Sequence, residues 1–187
     1  MLRDATFTDV SRLEALDDTS ASFVMDEEAF RAFYERTSRS VWAYLARITG
    51  DRQAADDLLQ ETYYRLLRAN ATHHSEEHRR NSLYRIATNL ARDARRRALT
   101  HPFDSTPGHD VEHVPTRDHG ASTERRTDFT RAMAHLNPRE RAMLWLAYAE
   151  GASHREIADV LGLRPASMKL LLFRARRRLA ALLGVEK

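Results

Sequence analysis

Apolar residues recur at intervals of three and four positions along most of this chain, which is the spacing of one face of an α-helix. From Asp26 to Gly50 the pattern predicts one long helix or two in series. A further helix is predicted from Asp51 to Asn70, and another from about Ser75. No segment alternates between apolar and polar residues as a half-exposed strand does. The pattern therefore indicates an all-α protein.

The helical pattern is interrupted between Thr100 and Ser122, where three prolines and two glycines occur and apolar periodicity is lost. This composition is typical of a linker. We therefore predict two small helical domains joined by a flexible linker. The predicted segments are a loosely ordered leader at 1–25, a domain at 26–99, the linker at 100–122 and a domain at 123–187.

The C-terminal domain carries the signals of a helix-turn-helix. Residues 137–140 and 153–156 each place a capping residue three positions before a glutamate, which is the capping-box pattern of a helix start. Gly162 is expected to end the short second helix, and Pro165 to begin the last one. A short helix, a glycine-containing turn and a basic helix form the motif that enters the major groove of DNA.

Basic residues are concentrated in two segments, although the formal net charge of the chain is only +3. Residues 79–97 contain Asp93 as their only acid, and residues 164–178 contain none. For one arginine-rich helix, a solvated helix face is as good an explanation as a phosphate-binding surface. Two such segments favour a phosphate backbone, because each cation placed on a phosphate releases condensed counterions.

Several classes of protein are excluded by composition. The chain has no cysteine, which excludes disulfides, thiolate catalysis and cysteine-ligated zinc. Its N-terminus lacks a basic stretch followed by an apolar core, and nowhere do eighteen apolar residues run together. We therefore expect a cytoplasmic protein with neither a signal peptide nor membrane insertion.

The last helix combines an arginine-rich end with three consecutive leucines, Leu170 to Leu172. At about 100° per residue, Leu172 falls on a buried stripe, whereas Leu170 and Phe173 point outward. We expect Leu171 to face DNA and Leu170 to belong to a protein interface. The alternative is that these side chains pack on a neighbouring helix of the same domain.

Motifs in both halves of the chain resemble one family, the extracytoplasmic-function (ECF) class of bacterial RNA polymerase sigma factors. Residues 57–61, DLLQE, resemble the acidic motif of the family's second conserved region, which docks on the polymerase clamp. The resemblance implies that Asp57, Gln60 and Glu61 bind core polymerase. Without it, an acidic helix face is more often simply solvated.

Residues 83–93, LYRIATNLARD, are similar to the family's helix that melts and reads the −10 promoter element. Ser82 stands where the family usually has tryptophan. Aromatic and guanidinium groups can stack on an unpaired base, and amide or carboxylate groups can bond to its edges. The resemblance implies −10 DNA contacts from Tyr84, Arg85, Asn89 and Asp93.

Residues 151–176 are similar to the family's fourth region, which reads the −35 element, through the stretches EIA, LG and FRAR. Leu170 and Leu171 replace a small polar and a basic residue of the family pattern, which makes this surface more apolar than usual. The resemblance implies −35 DNA contacts from Arg164, Ser167, Lys169, Phe173, Arg174 and Arg177.

These resemblances imply a sigma factor that directs core RNA polymerase to promoters through −10 and −35 elements. The expected partners are core RNA polymerase and promoter DNA, with an anti-sigma factor as a further candidate. No catalytic residue, metal or cofactor is expected. One alternative is a DNA-binding transcriptional regulator or polymerase adaptor without independent promoter recognition. Another is a metal enzyme using the histidines of residues 73–78 and of the linker, which have no paired carboxylate nearby.

Overall fold

A computed structural model of the chain describes residues 25–69, 75–100 and 121–184. This part of the chain contains seven α-helices and no β-strand, which confirms the predicted fold class. The predicted leader, apart from Met25, and most of the predicted linker lie outside the described residues. The helices are α1 (Glu27–Thr49), α2 (Arg52–Arg68), α3 (Glu76–Thr100), α4 (Ala121–Ala134), α5 (Pro138–Tyr148), α6 (His154–Leu161) and α7 (Pro165–Leu182).

Short polar side chains fix where the N-terminal helices begin. The Asp26 carboxylate accepts a hydrogen bond of 2.7 Å from the Ala29 amide, and the Asp51 carboxylate accepts one of 3.1 Å from the Ala54 amide. Each such cap stabilises a helix by about 1 kcal/mol. Gly50 separates α1 from α2 with a φ of 79°, a backbone angle that glycine adopts without steric cost. Residues 27–49 therefore form one helix rather than two.

Helices α1, α2 and α3 make up the N-terminal half and enclose apolar and aromatic side chains between them. Phe33, Tyr44, Leu45 and Leu83 are fully buried there. The Tyr44 hydroxyl lies 2.6 Å from the Thr88 hydroxyl, so this phenol is hydrogen-bonded in the interior. Because this hydroxyl is paired, the Tyr44 ring can contribute its large apolar area without leaving a buried polar atom unpaired.

Helices α4 to α7 make up the C-terminal half. Both predicted capping boxes are present, at the starts of α5 and α6, and Gly162 ends α6 in the left-handed conformation. Met143, Leu146, Ile157 and Met168 are among the side chains buried between these helices. The α6–turn–α7 unit therefore has the helix-turn-helix arrangement that the sequence predicts.

The two halves pack against each other, α1 on α5 and α3 on α6, so that buried apolar residues of both belong to one continuous cluster. This contact explains the extensive burial of α5, in which Ala142, Met143, Leu144 and Leu146 are all buried. From Ala142 to Ala147 the helix is apolar all round, and such a segment is buried on more than one side. The division into two domains stays a prediction. None of the described helices is long and apolar enough to cross a membrane.

Candidate polymerase and nucleic-acid surfaces

The three residues predicted to bind polymerase lie together on the outward side of α2. Asp57 and Gln60 are exposed and Glu61 is partly exposed, whereas Leu58 and Thr62 on the other side are buried. The Glu61 carboxylate pairs at 2.6 Å with the guanidinium of Arg65, one helical turn away. We call Asp57, Gln60 and Glu61 the acidic α2 surface. It can receive a basic partner without any change in the helix.

Two of the residues predicted to read the −10 element are exposed on α3. Arg85 and Asn89 lie one turn apart on the same side of the helix, and Asp93 follows one turn later with partial exposure. The Asp93 carboxylate lies 3.3 Å from the guanidinium of Arg96. The helix therefore offers a guanidinium, an amide and a carboxylate in a row.

Tyr84 does not belong to this row. Its side chain is only 2% exposed, and its ring packs edge-on against Tyr44 with 5.2 Å between ring centroids. Burial raises the pKa of the Tyr84 phenol, and the Glu150 carboxylate raises it further. In this arrangement a neighbouring ring and the C-terminal half cover Tyr84, and its contact with DNA stays a prediction.

The six residues predicted to read the −35 element are all exposed along α7 and at its start, and we call them the α7 surface. Phe173 is 52% exposed among cationic side chains. Within the described part of the chain, none of the cations of this surface forms an ion pair. These cations are therefore available for phosphate contacts. The α7 surface consists of Arg164, Ser167, Lys169, Phe173, Arg174 and Arg177.

The structure separates the roles of the three leucines. Leu172 is buried with Met168 and Ala175, as the helical spacing predicts. Leu170 is 52% exposed, whereas Leu171 is partly buried and packs against the core. The expectation that Leu171 faces DNA is wrong, because its flank of α7 packs against neighbouring helices of the protein.

Substituting each exposed or partly buried leucine by arginine should therefore give different results. Leu170→Arg should leave the melting temperature nearly unchanged and steepen the salt dependence of duplex binding by about one unit of log affinity per log salt. Leu171→Arg should destabilise the fold by about 1–3 kcal/mol, because it buries part of a charge. Thermal melts and duplex titrations across salt check both. A large loss of stability in the Leu170 variant would contradict this assignment.

Five residues that the sequence patterns do not assign to a site connect the two halves. The Asn81 amide donates to the Glu156 carboxylate at 2.6 Å, which joins α3 to α6. The Arg141 guanidinium donates to the Arg47 carbonyl at 2.7 Å, which joins α5 to α1. The Arg47 guanidinium lies 4.5 Å from the centroid of the Trp145 ring. The sequence signal for this contact is the uninterrupted apolar run of α5 from Ala142 to Tyr148.

Glu156 has two structural roles, in the capping box of α6 and in the contact with α3. Desolvation alone would raise its pKa, but hydrogen bonds from Asn81 and Ser153 outweigh it and lower the pKa to about 2. A carboxyl with a lowered pKa stabilises the fold above its ordinary value of 4.5, and this contribution is lost as the pH falls towards about 2.

The substitution Glu156→Gln should consequently destabilise the protein more at pH 7 than at pH 3. The amide has only one acceptor oxygen for the hydrogen bonds from Asn81 and Ser153, so the variant is less stable at both pH values, but it has no charge to lose on acidification. Urea unfolding of both proteins at the two pH values measures the difference. An equal difference in the free energy of unfolding at pH 7 and pH 3 would show that the Glu156 charge does not contribute.

The structure offers no support for the metal-enzyme alternative among the residues it describes. No group of three histidine, aspartate or glutamate side chains there is placed to hold a metal ion. The histidines at 73, 74, 101, 109, 113 and 119 lie outside the described residues.

Comparison with known proteins gives matches in both halves. The Sigma-70 region 2 profile matches residues 33–99, and the Sigma-70 region 4 profile matches residues 126–179. The ECF RNA polymerase sigma factor SigM of Mycobacterium tuberculosis is 32% identical over 160 residues, which cover 85% of this chain and 79% of SigM. SigG of the same species is 31% identical over 175 residues, but the match covers only 47% of SigG. The chain thus spans about half the length of SigG.

Solved structures give the same fold. The sigma factor RpoE, in complex with the anti-sigma factor NepR from Bartonella quintana, aligns with a TM-score of 0.68 over 84% of this chain and 98% of RpoE at 22% identity. CnrH, in complex with the cytosolic domain of CnrY, aligns with a TM-score of 0.61 over 96% of this chain and all of CnrH at 24% identity. With a region 2 helical unit, a region 4 helix-turn-helix and relatives such as SigM, the chain belongs to the ECF RNA polymerase sigma factors.

Proposed function

We propose that this chain binds core RNA polymerase and directs it to promoters by recognising −10 and −35 elements. The observation that carries the proposal is the placement of three exposed surfaces on the two matched regions. The acidic α2 surface and the outward side of α3 lie within the region 2 match, and the α7 surface lies within the region 4 match. The proposed role is non-enzymatic, requires no metal or cofactor, and places the protein in the cytoplasm with the polymerase.

Each of the three surfaces has a different binding role. Cations of the α7 surface set the position of the C-terminal half on duplex DNA, and Phe173 contacts thymine methyl groups or sugar edges from within this cationic surface. Arg85, Asn89 and Asp93 on α3 hold bases of the melted −10 strand by stacking and by hydrogen bonds. The acidic α2 surface meets the polymerase through charge complementarity, which favours rapid and specific association.

Binding both elements at once requires the two halves to separate. The centres of a −10 and a −35 element are about 25 base pairs apart, which is about 85 Å of straight duplex at about 3.4 Å per base pair. A compact chain of this length has a radius of gyration of only about 16 Å. The contacts of Asn81 with Glu156 and of Arg141 with Arg47 must therefore open when promoter DNA is bound, and we call the arrangement that contains them the closed form.

An anti-sigma factor is a further proposed partner. RpoE is bound by NepR in the related complex, and the present chain has an apolar groove of about 650 Å³ that such a partner could cover. Phe129 and Tyr148 at this groove are large and exposed. Exposed apolar surface of this kind is typical of protein interfaces.

Capture on purified core polymerase followed by sequencing of the co-captured DNA tests the proposed function. The chain should be retained by core polymerase in a complex that tolerates 0.15 M salt, and the DNA should be enriched in fragments sharing two elements at fixed spacing. Retention without such enrichment would support a polymerase adaptor, and enrichment of DNA without polymerase would support an independent regulator. Either result would contradict the proposal.

Removing the Asn89 side chain should separate base capture from duplex binding. Asn89→Ala should reduce the rate of open-complex formation by about tenfold, which corresponds to about 1.4 kcal/mol, while initial promoter binding changes less than twofold. Permanganate footprinting of melted thymines and gel-shift titration measure the two steps. Equal losses in both assays would place Asn89 on duplex DNA instead.

A further inference from the structure

A cleft of about 480 Å³ lies between the two halves and is bordered by three guanidinium groups. Arg92 and Arg95 come from α3 in the N-terminal half, and Arg139 comes from the first turn of α5 in the C-terminal half. We call this cavity the arginine cleft. Its volume falls within the range of roughly 300–1,000 Å³ found for small-molecule sites. An apolar wall completes it, formed by Ile48, Ala142 and Leu163.

No residue that the structure describes neutralises the positive charge of the cleft. No carboxylate lines it, and neither Arg95 nor Arg139 forms an ion pair with any described residue. Among the described residues, the guanidinium of Arg92 makes one long hydrogen bond of 3.4 Å, to the Leu161 carbonyl. The adjacent acids have other partners, since Glu140 pairs with Arg178 and Asp93 with Arg96.

Closing the halves brings these like charges together. The pKa of Arg141, next to Arg139 on α5, is lowered by desolvation and by the positive charge of Arg95 on α3. The Arg141 side chain also has a buried Nε–H with no partner among the described residues. An anion between the halves would relieve this repulsion, so the cleft should attract anions more strongly in the closed form than when the halves are apart.

We propose that the arginine cleft binds a small multivalent phosphoanion, such as pyrophosphate or the phosphate chain of a nucleotide, and that the anion holds the halves together. Guanidinium groups match phosphate oxygens with paired, charge-assisted hydrogen bonds. The source is a soluble anion and not the DNA backbone, because the contacts of Asn81 with Glu156 and of Arg141 with Arg47 hold together the two halves that border the cleft. A DNA duplex is wider than its own major groove, which is about 12 Å across. It therefore cannot enter a cavity of about 480 Å³.

The bound anion should regulate promoter binding by mass action. A ligand that contacts both halves favours the closed form in proportion to its occupancy. Promoter DNA requires the halves to separate, so the anion and the promoter should weaken each other's binding; this consequence rests on the proposed function. Anion binding itself does not rest on it and is measured without DNA or polymerase.

Titration calorimetry of the full chain with pyrophosphate, at constant ionic strength, tests the site. Wild-type protein should bind one pyrophosphate per chain, and sulfate at the same concentration should bind more weakly. Arg95→Ala and Arg139→Ala should each raise the pyrophosphate dissociation constant by about tenfold, as expected for loss of a charged hydrogen bond. Arg155→Ala, which removes the same charge from an exposed position of α6 outside the cleft, should bind as the wild type does.

Melting curves show whether the cleft variants are still folded. Both variants should melt at or above the melting temperature of the wild type, because each removes like-charge repulsion. Absence of saturable binding, or equal binding by Arg139→Ala and the wild type, would overturn the proposal. It would also be overturned if Arg139→Ala weakened only duplex binding, which would identify the source as backbone phosphate. If pyrophosphate binds as expected but leaves promoter affinity unchanged, the site stands and its regulatory role is rejected.

Discussion

Reversing both charges of the acidic α2 surface, Asp57→Lys with Glu61→Lys, is expected to weaken binding to core RNA polymerase by about a hundredfold or more. Truncating one partner of an interfacial charge pair costs about 2–5 kcal/mol, and reversal adds like-charge repulsion. The fold should survive, because Asp57 is exposed and Glu61 partly so. The Glu61–Arg65 pair lost from α2 contributes only a few tenths of a kcal/mol. Fluorescence anisotropy with labelled chain and purified core polymerase measures the loss.

Glu35→Lys is the matched control, since it reverses an exposed charge in the middle of α1 outside the acidic α2 surface. It should change polymerase affinity less than threefold. Circular dichroism should show equal helicity in both variants. Unchanged polymerase binding by the double variant, with the fold intact, would remove the role assigned to Asp57 and Glu61.

Removing three cations from the α7 surface, by Lys169→Ala, Arg174→Ala and Arg177→Ala together, should abolish most promoter duplex affinity. Each lost phosphate contact lowers the slope of log affinity against log salt by about 0.9, so the slope should fall by about 2.7. At 0.15 M salt the expected loss is on the order of a hundredfold. The melting temperature should hold, because these side chains are exposed and form no ion pair within the described part of the chain.

A control variant with the same change in net charge distinguishes direct phosphate contacts of the α7 surface from long-range attraction between DNA and the charge of the whole chain. Alanine at Arg31, Arg36 and Arg39 removes three cations from exposed positions of α1. This control should lower duplex affinity only slightly and leave the salt slope within about half a unit of the wild type. If the control and the α7 variant lose equal slope, the chain binds DNA through its overall charge and not through the α7 surface.

Local signals made the helices predictable. Asp26, Asp51 and Ser153 lie at predicted helix starts and cap them, and Gly50 and Gly162 end α1 and α6 in the left-handed conformation. Caps and stops act over one helical turn, so a single sequence contains everything that determines them.

Contacts between distant segments were not predictable in the same way. The helical wheel of α7 located Leu172 in the core, yet it could not show that a neighbouring helix also covers the flank that holds Leu171. Tyr84 was assigned to DNA by resemblance, whereas packing of α3 on α1 buries its ring against Tyr44. Which side of a helix is covered depends on residues far away in the chain, and periodicity carries no information about them.

The functional residues likewise differ in whether the sequence alone could identify them. The resemblance named residues that do lie on exposed surfaces, such as Asp57, Asn89 and Lys169. It gave no indication of the arginine cleft, because Arg95 and Arg139 are 44 positions apart and only the packing of α3 near α5 places them around one cavity.

Transcription by purified core RNA polymerase, with and without this chain, tests the central proposal most directly. The template is a library of genomic fragments, and the 5′ ends of the transcripts are mapped by sequencing. Discrete start sites should appear only when the chain is added, each preceded by two elements at a constant spacing, and they should disappear with the Asp57 and Glu61 double variant. Binding of the chain to core polymerase without any new discrete start site would contradict the account.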